Sequence, residues 1–198
     1  MTKTAIWCRH AGDNIIGIGA EIPWNIPSDS QKFWKMVEGR QIVCGRKTYQ
    51  TFPPAKLEGQ EIVVVTGDEN FEVYDKKMQL TVPDVKVFKN WEKDIYIAGG
   101  AQIYNAFIAG GVNKLMPEII VDCVFQGELL PGLSGEAAEI TPAVKVMEKQ
   151  YRQITPDYEL DEVITRIFIR KGEFVDQAVL KHLLTVIESQ SPRLAGTE

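Results

Sequence analysis

Metal-ligating residues are scarce in this sequence. The two histidines, His10 and His182, lie far apart, and the three cysteines, Cys8, Cys44 and Cys123, show no paired spacing. No zinc-type ligand set can be read from them, so no metal site is expected. Each cysteine sits in an apolar run, which predicts buried thiols in a reducing compartment rather than disulfides. Positive charge is also in short supply. The 22 Lys and Arg against 27 Asp and Glu leave a net charge of −5, which argues against a nucleic-acid surface. No apolar run is long enough to span a bilayer, and no h-region opens the sequence, so a cytoplasmic protein without a membrane partner is expected. Internal repeats and low-complexity blocks are absent. So is the G-x-G-x-x-G fingerprint, which disfavours an ordinary two-domain Rossmann dehydrogenase.

What is present is centred on Pro23-Trp24-Asn25-Ile26-Pro27-Ser28-Asp29, with Phe33 one helical turn on. The two prolines fix φ at both ends and hold the segment extended. Ser28 or Asp29 is a natural N-cap for a helix over about 28–38, ending near Gly39. Asp29 and Phe33, four apart, share a helix face. A carboxylate at a helix start, walled by Trp24 and Phe33, suits a flat polar heterocycle; the competing reading is that Asp29 is only a cap.

Along the chain, residues 4–9 open as a buried strand, and Gly12-Asp13-Asn14 is a turn. Residues 15–22, with Gly17 and Gly19, read as a mobile loop. A strand over 41–44 leads through Gly45 into a helix over 47–51, which Pro53-Pro54 ends. This strand–Gly45-Arg46-Lys47-Thr48–helix junction suits an anion, because Arg46 and Lys47 add positive charge. A β-branched strand covers 61–66, residues 68–80 are irregular, and 82–88 alternates like an edge strand. A strand over 95–98 runs straight into Gly99-Gly100 and a helix over 102–109, ended by Gly110-Gly111. Two glycines let backbone approach a pyrophosphate closely at a helix start. A long strand over 115–125 follows, with Pro117 marking a bulge or kink. Residues 127–142 read as loop, and 144–148 and 163–169 as a closing antiparallel pair. From about Glu173, Phe174, Val175, Ala178, Val179, Leu183, Leu184 and Ile187 have helical spacing, and residues 191–198 read as a disordered end. The fold class is therefore α/β: a mixed, mostly parallel sheet flanked by helices, with an antiparallel last strand and a C-terminal helical extension.

The ordered set Ile15-Ile16-Gly17, Pro-Trp-Asn-Ile-Pro-Ser-Asp over 23–29, Gly45-Arg46-Lys47-Thr48-Tyr49 and Ala98-Gly99-Gly100-Ala101-Gln102-Ile103-Tyr104 resembles dihydrofolate reductase, over roughly residues 4–170. The resemblance implies a dihydrofolate-reductase-like domain over 1–170 and a helical tail over 171–198. It also implies NADPH-dependent reduction of a dihydropterin, with ligands beyond the carboxyl ends of the strands. By the same resemblance Asp29 is the pterin-binding acid, its pKa raised by burial. Trp24 lies by the nicotinamide pocket, and Ile22 closes the mobile loop. Phe33 and Phe52 pack on the pterin and its extension, with Ala98, Lys56, Gln60 and Glu118 at the substrate end. The cofactor falls to Ile16, Gly17, Gly45, Arg46, Lys47, Thr48, Thr66 and Gly99 to Tyr104, that is Gly99, Gly100, Ala101, Gln102, Ile103 and Tyr104. Trp34, Tyr49 and Trp91 are assigned to core or surface.

Three positions depart from the family pattern. Gln60 stands where the family has an Arg that clamps the substrate's α-carboxylate. Glu118 stands where a Thr bonds the acid; it either faces Asp29 or is turned to solvent by Pro117. Ala98 replaces a larger aliphatic residue. They leave room for two other readings, a riboflavin-pathway type reductase on the same fold and a non-catalytic relative. The expected assembly is a monomer, or a dimer through the C-terminal helix.

Overall fold

The computed structural model describes residues 1–68, 70–71, 79–82, 93–110 and 115–190. The expectations for 83–88, for Trp91, for Gly111 and for the 191–198 end fall outside these residues.

The most apolar segments become the centre of the sheet. β1 (Lys3–His10) is flanked by two parallel neighbours, β6 (Ile95–Ile97) and β7 (Ile119–Phe125). β3 (Gln41–Gly45) lies beyond β6, then β4 (Glu61–Val65) and β5 (Gln79–Val82), all parallel. On the other side, β11 (Val163–Arg170) runs antiparallel to β7 and carries both β9 (Tyr151–Gln153) and β10 (Tyr158–Leu160). The nine-stranded sheet thus has the order β10-β11-β7-β1-β6-β3-β4-β5, with β9 also on β11. Strands buried on both faces read as continuous apolar runs, and β7 is buried at every position.

Alternate strand residues feed two cores. One face of the sheet packs Ile6, Ile42, Val64, Val121 and Ile167 under α1 (Pro27–Val37) and α6 (Gln177–Gln190). The other packs Ala5, Trp7, Val43, Ile97 and Ile120 under α4 (Ala101–Ile108) and α5 (Thr141–Gln150). Two short helices, α2 (Arg46–Thr51) and α3 (Pro54–Leu57), join β3 to β4.

Four sequence expectations fail here. Residues 144–148 are not a strand: they lie in α5, where Ala143, Val144 and Met147 are buried at helical spacing behind Thr141-Pro142. The β-branched Val144 and Val146 suggested a strand, but a proline in the first turn favours a helix start. The partners of β11 are instead β7, β9 and β10. Residues 15–18 are not simply loop: they form β2 (Ile15–Ile18), paired antiparallel with β8 (Ala137–Glu139), itself inside the stretch expected to be loop. The strand expected from Leu115 starts only at Ile119, after Pro117. Residues 79–80, expected to be irregular, belong to β5. Pro53-Pro54 ends α2 as expected, and Pro54 also opens α3, because proline suits a first helical turn.

The C-terminal helix begins at Gln177. Val179, Leu183, Val186 and Ile187 are buried, with Leu180 and Leu184 packed beside them, against the same domain. His182 Nε2 lies 2.9 Å from the Met36 carbonyl of α1, and the Tyr158 hydroxyl is 3.0 Å from Glu188 Oε1. Phe174, expected on the apolar stripe, precedes the helix and is 99% exposed, and Ala178 is exposed too.

Candidate active site

Pro27 opens α1, preceded by Ile26 in extended conformation, and no side chain caps the helix. Asp29 is therefore not the cap. It sits in the first turn, where a negative charge is favoured by the helix dipole. Its carboxyl group lies among Lys32 of α1, Cys8 of β1 and Cys123 of β7. Its side chain retains 16% exposure. Burial pushes its pKa up from the usual carboxylate range, while the Lys32 charge and hydrogen bonds from Cys8, Lys32 and Cys123 pull the other way.

Lys32, one turn along on the same face, is 2% exposed. Its Nζ donates to Thr165 Oγ1 at 2.6 Å and lies 3.6 Å from Asp29 Oδ1. Thr165 Oγ1 is in turn 3.6 Å from Cys123 Sγ. Burial pushes the Cys123 thiol up to about 12 and Cys8 well above its ordinary value, so both are neutral near pH 7. The residues around the acid thus come from α1, β1, β7 and β11.

Aromatic rings border this group. Trp24 is buried and stacks at a tilt on Phe125, 5.1 Å between centroids. Phe33, Phe52 and Trp34 form a cluster, with Trp34 5.1 Å from Phe33 and 5.0 Å from Phe52, both edge to face. Ile22 is 58% exposed and Lys56 is exposed. Gln60 is half-buried, and its Oε1 has no hydrogen-bond partner among the described residues. Ala98 is buried, its N–H bonded to the Val43 carbonyl.

The two glycine junctions meet because β3 and β6 are adjacent. The Gly45 N–H donates to the Gly99 carbonyl at 2.7 Å. Gly99 has φ +98°, and a Cβ there would lie 2.9 Å from the Tyr104 ring. A Cβ on Gly100 would lie 3.2 Å from Thr48 Oγ1, and one on Gly45 3.3 Å from Ile103. The three glycines are thus required by close packing of the chain on itself, with Gly99 buried and Gly45 and Gly100 half-buried. The junction lies at the start of α4, with Arg46 and the exposed Lys47 at the start of the neighbouring α2. Arg46 Nη1 is paired with Asp68 Oδ2 at 3.1 Å, both side chains 42% exposed, and its guanidinium lies 5.9 Å from the Phe71 ring centre. Thr66 is buried and accepts the Asp68 N–H. Gln102 is exposed, Ala101 half-buried, and Ile103 and Tyr104 are buried in the second core, the Tyr104 hydroxyl donating to the Ile6 carbonyl. Ile16 and Gly17 lie on β2, Gly17 opposite Ala138.

Glu118 does not belong to this site. It accepts hydrogen bonds from the Lys3 N–H and Nζ at 2.6 and 2.7 Å and lies 4.0 Å from Arg170. Lys3 is five residues back along β1 from Cys8, about 16 Å at the rise of a strand. Because β7 starts only after Pro117, Glu118 stands at the amino end of the sheet. The hydroxyl near the acid is that of Thr165, on β11.

Sequence reading missed Lys32 and Thr165 as neighbours of the acid, while Trp34 packs against the core as expected. The signal for Lys32 was present: a charged residue three positions from Asp29, on the helix face that also carries Phe33 and Met36. Thr165 carried no such signal, since only the β7–β11 register brings it opposite Cys123.

A sequence model of the dihydrofolate reductase family matches residues 4–131. The dihydrofolate reductase of Enterococcus faecium is 27% identical over 153 residues, covering 74% of this chain and 90% of that protein. The Mycoplasma genitalium enzyme is 30% identical over 110 residues, 52% of this chain and 68% of that protein. Among solved structures, the Enterococcus faecalis dihydrofolate reductase, complexed with NADP(H) and RAB-propyl, superposes with a TM-score of 0.64 at 17% identity, covering 86% of this chain and 97% of that one. The family match spans β1, the Asp29 helix and both glycine junctions, and the superposition extends the likeness of fold across the sheet. On these grounds the chain belongs to the dihydrofolate reductase family.

Proposed function

We infer that the protein reduces 7,8-dihydrofolate to tetrahydrofolate with NADPH, the activity of its family. The observation that carries this reading is the Asp29 carboxyl group, partly buried and bordered by aromatic rings, at the carboxyl-terminal side of β1 and β7. A pterin ring presents an amino group and a ring N–H as adjacent donors, and one carboxylate accepts both. NADPH, when bound, supplies the hydride. The chain's own residues hold the ring, keep water away and favour a proton on the ring nitrogen beside the carbon that is reduced.

Phe33, Phe52 and Trp34 supply the apolar wall for the ring and its extension. Trp24 and Ile22 border the nicotinamide side, and Ala98 lines the floor. Lys56 and Gln60 stand where the substrate's carboxylate tail leaves the site. Gly45, Gly99 and Gly100 take the pyrophosphate, with Ala101, Gln102, Ile103 and Tyr104 continuing along α4. Arg46, Lys47, Thr48 and Thr66 take the remaining phosphate and the adenosine side, and Ile16 and Gly17 cover the cofactor from β2. An extra phosphate needs cations, which is why Arg46 beside Lys47 favours NADPH over NADH. No helix among the described residues is long and apolar enough to cross a membrane, in keeping with a cytoplasmic enzyme acting on small molecules. Since α6 covers its apolar face with its own domain, a monomer is the preferred assembly.

The test is the absorbance decay of NADPH with dihydrofolate as acceptor. Turnover that is absent in the parent protein, with the fold intact, would overturn the reading. Turnover that also disappears in Asp29→Asn supports it.

A further inference from the structure

The reaction as inferred uses Asp29 and leaves its neighbour Lys32 without a role. Yet Lys32 is a cation in the interior. Burying an ammonium costs several kcal/mol unless it is paired and hydrogen-bonded. Here it is both. Thr165, itself fully buried and fixed by strand pairing with Cys123 and Tyr158, accepts one hydrogen bond at 2.6 Å. The remaining donors reach toward Asp29 Oδ1 at 3.6 Å.

The other groups facing Asp29 are neutral near pH 7. Cys8 from β1 and Cys123 from β7 are held as thiols by burial, and Tyr104 from α4, also a buried phenol, lies in the second core with its hydroxyl on the Ile6 carbonyl. Asp122, next along β7, points to the other face, where Arg9 and Trp7 satisfy it. Among the described residues, Lys32 is the one cation within ion-pair reach of Asp29.

We propose that Lys32 is a positioning residue for the reaction, a fixed internal counter-ion that Thr165 anchors and that holds the Asp29 carboxylate in place and sets the pH range in which the site works. The proposal rests on the reading of Asp29 as the pterin-binding acid. Its physical content is a tug between two effects. Burial alone favours the protonated acid, and an opposite charge within about 4–6 Å lowers a carboxyl pKa by about 1–3 units. Lys32 therefore keeps the carboxylate ionised to a lower pH than burial would allow. A ligand then meets a charged acceptor whose orientation is fixed before it arrives. Removing the cation leaves desolvation unopposed, so Asp29 should hold its proton to higher pH.

Two variants separate charge from packing. Lys32→Gln is neutral and can still donate to Thr165; Lys32→Met is neutral and apolar. In the ligand-free protein the Asp29 carboxyl carbon, identified by the signal that Asp29→Asn removes, is titrated by NMR. The expected result is a midpoint raised by about one unit or more in both variants. A midpoint unchanged in the folded Gln variant overturns the proposal, and that variant decides if the Met protein does not fold. Thr165→Val, which keeps the cation and loses its anchor, should move the midpoint less than either.

The pH profile of kcat/KM with dihydrofolate is the second readout. Its Asp29-dependent limb should move up in the variants by the same interval. A carboxyl midpoint that moves while the limb stays would show that Asp29 does not govern turnover, and the assigned role in the reaction would fall with it. A purely structural Lys32 would lower stability and leave both midpoints in place.

Discussion

The proposed substrate half and the proposed cofactor half of the site each contain a carboxylate–cation pair, and the two differ in an instructive way. Arg46 and Asp68 are closer, 3.1 Å against 3.6 Å for Lys32 and Asp29. Distance alone would rank the cofactor pair as the stronger. Burial reverses the order. Arg46 and Asp68 are both 42% exposed, and such surface pairs are worth about 0–1 kcal/mol because water screens them. Lys32 is almost wholly buried, and neither partner of its pair can be removed without leaving the other poorly solvated. The exposed pair can open for an incoming phosphate. The buried pair cannot open, so it can only bias what Asp29 does.

The sharpest way to break this comparison is Asp29→Asn. Loss of the acid should lower turnover near neutral pH by about 10²–10⁴-fold, the range typical of a positioned acid–base group. The same change strips Lys32 of its counter-charge. Unfolding in urea should therefore show a loss well below the roughly 3–5 kcal/mol of a fully buried pair, because Asp29 keeps some exposure and its own ionisation is already a cost to the fold. A variant as stable as the parent would show that the buried pair differs little from the exposed one.

Gln60→Arg asks whether an exposed cation can matter when the ligand supplies the carboxylate. A fork of two charge-assisted bonds should lower KM for dihydrofolate by about ten- to a hundredfold and tighten methotrexate alike, with small diaminopyrimidines little changed. Steady-state kinetics and inhibition constants decide it. If neither KM nor methotrexate affinity moves, another cation already holds the tail or the natural substrate lacks one, and a tail-less dihydropterin separates those outcomes.

Arg46→Ala should weaken NADPH by about tenfold, one charge-assisted bond less the release of Asp68, and NADH hardly at all. Equal losses for both cofactors would show that Arg46 does not read the extra phosphate. Asp68→Asn is the mirror test. It frees Arg46 from a screened pair, so NADPH should tighten by only about two- to fivefold. A much larger gain would mean that the exposed pair is as hard to open as the buried one. Titration of cofactor fluorescence measures both.

The smallest effect concerns a third pair. Hydrogen bonds from Arg166 hold the Asp157 carboxyl below its usual range. A depressed pKa stabilises the fold above the unfolded-state value, 3.8, and that contribution is lost as pH falls through the folded value. Asp29 has the opposite sign: its raised pKa makes ionisation a cost that grows as pH rises above 3.8. Thermal melts of Arg166→Met should differ from the parent at neutral pH and converge with it in acid. A difference that persisted once Asp157 is fully protonated in the fold would not come from this linkage.

The ends of elements show how far sequence reasoning reached. The β3 and β6 junctions were legible because a β-branched run followed by glycine has few alternatives, and Gly39 at φ +66° ends α1 near the expected place. Asp29 was legible as an acid at a helix start, but not as a residue inside the first turn rather than a cap, because Pro27 already opens the helix behind Ile26. The 144–148 segment was misread because β-branched content and helical spacing compete over five residues, and the Thr-Pro start was the deciding signal.

The sequence by itself determined the local features: which runs are apolar enough to be central strands, where glycine lets backbone approach backbone, and that an acid begins the helix after Pro-Trp-Asn. Those follow from single-residue sterics and short-range periodicity. Tertiary structure alone decided that Thr165, Cys8 and Cys123 surround that acid, that Asp68 engages Arg46, and that Glu118 stands at the far end of the sheet. The reason is register. Strand pairing fixes position to one residue and alternates faces, so whether a side chain meets the site depends on partners far away in the sequence.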